Sequence, residues 1–463
     1  MGEKSEDRDM NGAEEGSGKS QPPKPVGFWD PSMKTVRKGV IKRWLLTTVV
    51  LMAFILSALS IYWGALFHAD KNIASLVIYV VDFDGIAPYN TGNPPIVGPT
   101  IVQTAMKQLQ NPSHLGWGSL PASDFNNDPM QVRQAVYDFK AWAAIIINPN
   151  ATSMLYSAIQ NGNASYDPLG ACQLIYMDSR DDTNWYDFIG PLVNMFMTQA
   201  SAQVQETWAK TALQRAAANP TILQNLQTVP QAISPAIGFS QFNLRPLYPY
   251  TNLIILSFFS FSFYLPIHMK YIKPQGHPPL HFYQLIIWRW LATVTAYFFL
   301  SLAYSFVSLA FQINFAGYPS PLPQTEASQI ELSNPSAYGH GTFPVYWALN
   351  FVGMCALGLA NENMAMFIGN PWTGLWLIFW VISNVSTAFY DIDIEPHFYY
   401  YGYAFPLHSV VEGSRQILFD LHSRIGLDFG ILFAWAAVNT TVFPFACYFM
   451  RWKSNHDKSE YWA

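Results

Sequence analysis

The chain has 463 residues, of which 51% are hydrophobic, 16% aromatic and only 12% charged. Soluble domains carry roughly 25% charged residues, so much of this surface does not face water and an ordinary soluble protein is excluded. The net charge of -5 gives no case for a nucleic-acid partner, and the mean hydropathy of +0.11 implies that a sizeable polar part dilutes the apolar stretches.

Residues 1–27 are polar, rich in Gly, Ser and Pro, and read as a disordered tail that cannot bury enough apolar surface to offset its ordering entropy. Gly16-Ser-Gly-Lys-Ser20 resembles the end of a phosphate-binding loop. The full pattern needs a glycine where Ala13 stands, and a helix where Pro22, Pro23 and Pro25 follow. No ATPase is expected from it. In residues 28–43, Lys34, Arg37, Lys38, Lys42 and Arg43 alternate with apolar residues, which predicts a short interfacial helix against headgroups. A first span follows over 44–67 without a charge, long enough for a hydrocarbon core of about 30 Å.

Five more spans are expected at 251–269, 282–311, 343–360, 372–390 and 427–450. Short loops test their orientation. Lys270 and Lys273 follow span two, Arg451 and Lys453 follow span six, and the 312–342 loop has Glu326 and Glu331 but no basic residue. The positive-inside rule then places both termini in the cytoplasm. Arg415 and Arg424 dissent, and an amphipathic or re-entrant helix over 407–424 at the outer face accounts for them.

The stretch 68–250 is then one extracytoplasmic domain. Strands are predicted at 73–82, 142–148 and 171–177, and helices at 100–109, 130–140, 152–160 and 185–218, an alternation that argues for an α/β fold. Sequons at Asn150 and Asn163 predict glycosylation in turns. Of the three cysteines, only Cys172 falls in this domain, so no internal disulfide framework is expected.

Two constellations stand out. Arg289, early in span three, carries a charge that either snorkels to the near interface or pairs with Glu362 at the end of span four on the same side. Asp391, Asp393, Glu395 and His397 gather just beyond span five. Alternating carboxylates on an extended segment would point one way and suit a hard cation or another ligand, although a solvated acidic loop has the same composition. No nucleophile–base pair or cofactor motif occurs, so neither an enzyme nor a cofactor is expected.

Several stretches together resemble the fungal nitrosoguanidine-resistance membrane protein family. They are 77–85 (Val-Ile-Tyr-Val-Val-Asp-Phe-Asp-Gly), 142–152 (Trp-Ala-Ala-Ile-Ile-Ile-Asn-Pro-Asn-Ala-Thr), 166–168, Tyr346-Trp347 with Gly353-Met354, 356–362, and 401–406 (Tyr-Gly-Tyr-Ala-Phe-Pro). The resemblance extends to bacterial phage-infection membrane proteins and ABC-2-type permease domains. It implies a permease-like protein of about six spans, with an α/β domain inserted between the first and second. Such a protein would handle small toxic or lipophilic compounds, as a homodimer or with a separate ATPase or membrane partner, in a plasma or internal membrane. The alternative is a non-transport role in lipid distribution or in scaffolding partners through the outer domain. The family supplies no catalytic or ligand residues to carry over.

Overall fold

A computed structural model describes residues 29–90, 92–247, 281–310, 313, 315, 338–369 and 372–460. The span expected at 251–269 and the glycine-rich tail lie outside the described residues. The chain divides into two compact units, 1–56 and 57–463.

The described part of the first unit is the beginning of helix α1, Lys34–Gly64. Asp30 precedes it and accepts bonds from Ser32 N and Oγ at 2.8 and 2.6 Å. The break expected at residues 43–44, between an interfacial helix and a span, is absent. No proline or glycine pair interrupts the chain there, and the basic residues continue straight into the apolar run. A helix of 31 residues is about 46 Å long, and the basic turns belong to the same helix as the apolar run that follows them.

The second unit holds a five-stranded sheet, ordered β2-β1-β3-β4-β5. Its strands are β1 Val77–Asp82, β2 Gly116–Pro121, β3 Ala143–Ile147, β4 Cys172–Tyr176 and β5 Phe239–Asn243. Only the β3–β4 pairing is antiparallel. The helices between them are α2 Val97–Gln108, α3 Pro129–Tyr137, α4 Ala151–Asn161, α5 Gly190–Ala218 and α6 Pro220–Thr228. Asp128 and Asn219 cap α3 and α6 directly ahead of a proline at the first helical position. At the other end of α4, Gly162 takes the left-handed conformation (φ +64°) that favours glycine.

The two faces of the sheet differ in what covers them. Ile78, Val80, Ile145 and Leu174 pack against α2, α4, α5 and α6. On the other face Val81, Ile146 and Ile175 meet α3, and this core runs on into that of the membrane helices. At the ends of β1 and β3, Asp84 accepts bonds from Gly98 N, Thr152 N and Thr152 Oγ1. The stretches 77–85 and 142–152 are therefore joined through one buried carboxylate.

Among the described residues, four helices are long and apolar enough to cross a membrane: Pro31–Ser75, which contains α1, then α7 Phe282–Ala310, α8 Thr342–Ile368, and α11, whose apolar part is Ile425–His456 of Ile425–Glu460. On α7, Ile286, Arg289, Thr293, Tyr297, Ser301, Ser305 and Ser308 are buried at helical spacing, while Ile287, Trp288, Leu291, Phe299 and Phe306 are exposed. A helix with polar groups inward and apolar groups outward is soluble in lipid and not in water. The chain is thus a polytopic helical membrane protein.

The span expected at 372–390 is shorter than its apolar run. Helix α9, Thr373–Val385, has 13 residues and reaches about 20 Å, short of the ~30 Å core. Ser383, Asn384 and Thr387 turn their side chains back onto the carbonyls of Phe379, Trp380 and Ser383, and the backbone leaves the helix there. Helix α10, Pro406–Phe419, follows. It is no surface amphipath: Ser409, Val410, Ser414, Arg415, Ile417 and Phe419 are all buried, and it packs against α8, α9 and α11.

Candidate functional site

Helix α8 is the axis of the bundle. Its small residues admit close neighbours: a Cβ on Gly358 would overlap the phenol of Tyr297 on α7. The expected span at 343–360 runs on to Ile368, so Asn361, Glu362 and Asn363 lie inside a continuous helix and all three are buried. Polar contacts lock α8 to its neighbours along its length. Tyr346 Oη meets Ser308 Oγ at 3.2 Å, and Asn350 Nδ2 donates to Ser305 Oγ at 3.1 Å. Further along, Trp376 Nε1 donates to Asn361 Oδ1 at 3.1 Å, and Asn363 Nδ2 to the Asn439 carbonyl at 2.9 Å.

The structure brings Arg289 and Glu362 together. Arg289 Nη2 donates to Glu362 Oε2 at 2.8 Å, and Nη1 reaches Met366 Sδ at 3.0 Å. The guanidinium also faces the Phe443 ring. Arg289 is 5% exposed and Glu362 1%, so this charge does not snorkel to an interface. The pair lies six residues inside the end of α8, about 9 Å along the axis. Arg289 Nε and Glu362 Oε1 have no hydrogen-bond partner among the described residues. A buried ion pair that is incompletely hydrogen-bonded is expensive, and intramembrane charges mark pathways more often than packing.

Helices α9 and α10 form a broken crossing. Asn384 Oδ1 near the end of α9 accepts Leu407 N near the start of α10 at 3.2 Å, and His408 Nδ1 contacts the Thr387 carbonyl at 3.0 Å. The carbonyl end of one helix thus meets the amide end of the other, which is the favourable alignment of their dipoles. Trp435 Nε1 donates to the Ala404 carbonyl at 2.7 Å. Trp435 stands ten residues into α11. Discontinuous helices that meet end to end recur at the binding sites of membrane transporters.

Asp391, Asp393, Glu395 and His397 are not arranged as a metal site. The segment is not extended: Ile392–Ile394 and His397–Ala404 are 3-10 helices, so alternating residues no longer share a face. Asp391 caps the first of them through Asp393 N. Burial, with Asp393 adding to it and Arg180 opposing, pushes its carboxyl up to about 7. Asp393 is exposed and accepts from Tyr403 Oη at 3.2 Å, whereas His397 packs edge-on against Tyr400. Glu395 is buried, and burial pushes it up to about 9. Among the described residues, no group of three or more His, Cys, Asp or Glu is placed to hold a metal ion.

Arg415 has a role that the sequence reading missed. It was expected at an outer surface, yet it is 6% exposed and pairs with Asp181 at 3.0 Å, Glu412 at 3.2 Å and Asp182 at 3.4 Å. Burial pushes the Asp181 carboxyl up, and Arg415 opposes the shift. Just beyond, Asp420 ends α10 in the left-handed conformation (φ +52°). Its carboxylate pairs with Arg245 at 3.2 Å, and its carbonyl accepts Tyr137 Oη at 3.1 Å. These contacts clamp α10 to the sheet. The only sequence signal was the pair of basic residues in a loop that orientation required to be neutral.

The two sequons differ in their settings. Asn163 is exposed and accepts Ser165 N at 3.0 Å. Asn150 is half-buried, and the Thr152 hydroxyl of its sequon is engaged by Asp84. Asn163 is the more accessible of the two asparagines in the folded chain. Cys172, Cys355 and Cys447 are buried free thiols.

A family model described as a protein of unknown function (DUF3533) matches residues 47–441. The chain is also similar to an uncharacterized endoplasmic reticulum membrane protein of Saccharomyces cerevisiae. The two are 27% identical over 463 residues, an alignment that covers 92% of this chain and 84% of that protein. No solved structure matches.

Proposed function

The chain belongs to the DUF3533 family, and from that premise we propose that it is a permease-like membrane protein for small toxic or lipophilic compounds. The observation that carries this reading is the Arg289–Glu362 pair, buried in the bundle with one atom of each partner lacking a hydrogen bond. Charge is kept inside a membrane helix bundle at a cost of several kcal/mol, and a packing role would be filled more cheaply by apolar residues. The broken crossing of α9 and α10 supports the same reading. In this proposal the resemblance to nitrosoguanidine-resistance proteins and ABC-2-type permeases extends to function. The chain has about six spans, an outer α/β domain and cytoplasmic termini. It acts as a homodimer or beside a separate ATPase, in an internal membrane such as that of its yeast relative, and performs no enzymatic step of its own.

Efflux from cells tests the reading. Cells lacking the protein should retain lipophilic cationic dyes longer than cells complemented with the wild type. Arg289→Glu and Glu362→Arg should each behave as the deletion, and the double exchange should recover efflux. Identical accumulation and efflux with and without the protein would sink the proposal.

A further inference from the structure

A cavity of about 490 Å³ opens just past the end of α1, within the roughly 300–1,000 Å³ of small-molecule sites. Residues 67–75 form one wall and residues 393–400 the other. Two hydrogen bonds tie the walls together: Asn72 Nδ2 donates to the Ile394 carbonyl at 3.0 Å, and Ser75 Oγ to the Asp393 carbonyl at 2.7 Å. The cavity is therefore part of the folded frame.

Its chemistry is divided by charge. Lys71 and His68 stand on the first wall, Asp393 and Glu395 on the second, and the rings of Phe67, His397 and Tyr400 also line it. Glu395 is 3% exposed, and neither of its carboxylate oxygens has a hydrogen-bond partner among the described residues. A buried carboxyl without a partner carries its full desolvation cost, which a cationic donor from a ligand would offset. The aromatic rings add the π-faces that stabilise an ammonium group. Depth is set by the chain itself: the apolar helix α1 ends at Gly64, three residues before the lining begins. The cavity thus lies where a span meets the headgroup layer.

We propose that this cavity binds a zwitterion carrying a primary ammonium and a phosphodiester, the chemistry of an ethanolamine phospholipid headgroup. The ammonium pairs with Glu395 and Asp393 against Tyr400 and Phe67, and the phosphodiester lies at Lys71. The assignment stands independently of whether the bundle transports anything, and its test uses no transport readout.

The full chain in a non-ionic detergent is melted with increasing short-chain phosphatidylethanolamine, short-chain phosphatidylglycerol, or water-soluble glycerophosphoethanolamine. The ethanolamine lipid should raise the melting temperature saturably. The glycerol lipid, which lacks the ammonium, should need at least about tenfold more for the same shift. K71A, D393N and E395Q should each weaken the ethanolamine lipid by about tenfold, taking a lost charge-assisted hydrogen bond as 1.4 kcal/mol or more. Lys71 and Asp393 are exposed, so those two variants fold even if E395Q does not. Soluble glycerophosphoethanolamine matching the lipid would support the headgroup chemistry with a soluble source, and weaker binding would support a membrane source. Equal shifts from the two lipids, or unchanged affinity in both K71A and D393N, would overturn the assignment.

Discussion

Arg415 of α10 reaches the carboxylate of Asp181 at 3.0 Å, and the two side chains are 7% and 2% exposed. A helix packed among membrane spans is thereby bonded to the connection that follows β4. Removing one partner of such a pair leaves an uncompensated buried charge, at a cost of about 3–5 kcal/mol. Arg415→Ala should lower the unfolding free energy by that amount and release protease sites between β4 and α5. Exchanging both partners for apolar residues, Arg415→Met with Asp181→Leu, should restore most of it. Denaturant melts of the purified chain and limited proteolysis measure both effects.

Gly358 and Tyr297 set the separation of α7 and α8. A Cβ at position 358 would overlap the tyrosine ring, and overpacking a tight contact costs roughly 1–3 kcal/mol. Gly358→Ala should lower thermal stability and loosen the neighbouring Arg289–Glu362 pair. Tyr297→Ala made in that background should recover stability by supplying the missing space. If the double variant is less stable than Gly358→Ala alone, the contact is not what limits the helix separation.

The loop between α9 and α10 gives the protein a pH dependence of known sign. Burial raises the carboxyls of Asp391 to about 7 and Glu395 to about 9, above the ~4 of an unfolded chain. Groups whose folded value is raised contribute stability that is complete below pH ~4 and is lost as the pH climbs through the folded value. The groups facing them, Asp393, Arg180, Asp181, Tyr399 and Tyr401, do not reverse that sign. The melting temperature should therefore fall progressively from about pH 4 to pH 9, and less steeply above about pH 7. Asp391→Asn should flatten the lower part of that fall and Glu395→Gln the upper part, as thermal melts across the range would record.

The sequence carried the long apolar helices and the central strands clearly, because each has one dominant period. β1 and β3 are nearly continuous apolar runs rich in β-branched residues, and β4 is apolar but for Gln173, as strands covered on both faces must be. The two strands that escaped are the sheet's edges. Gly116–Pro121 contains two glycines and ends in a proline, and Phe239–Asn243 is half polar, as edges are. Hydropathy also overstated α9, since an apolar run records burial and does not distinguish a complete crossing from a helix stopped by its own Ser, Asn and Thr side chains. Arg289 and Glu362 were legible as a pair because each is a lone charge in an apolar run, one near the start of α7 and the other near the end of α8, ends that consecutive spans bring to one side. Arg415 and Asp181 were not, for 234 residues separate them and nothing local ties them together.

Helices α8 and α11 run in the same direction. Ala356 meets Asn439, Met366 meets Cys447 and Ile368 meets Lys453, each contact one step further along both. Two rods laid the same way need a return leg, and here that leg is jointed: one short helix, a looped segment, a second short helix and a left-handed turn at Asp420. The sheet is bonded to this leg at Arg415 and Asp420, the end that adjoins α11, so the joints lie between those ties and the start of the leg at α8.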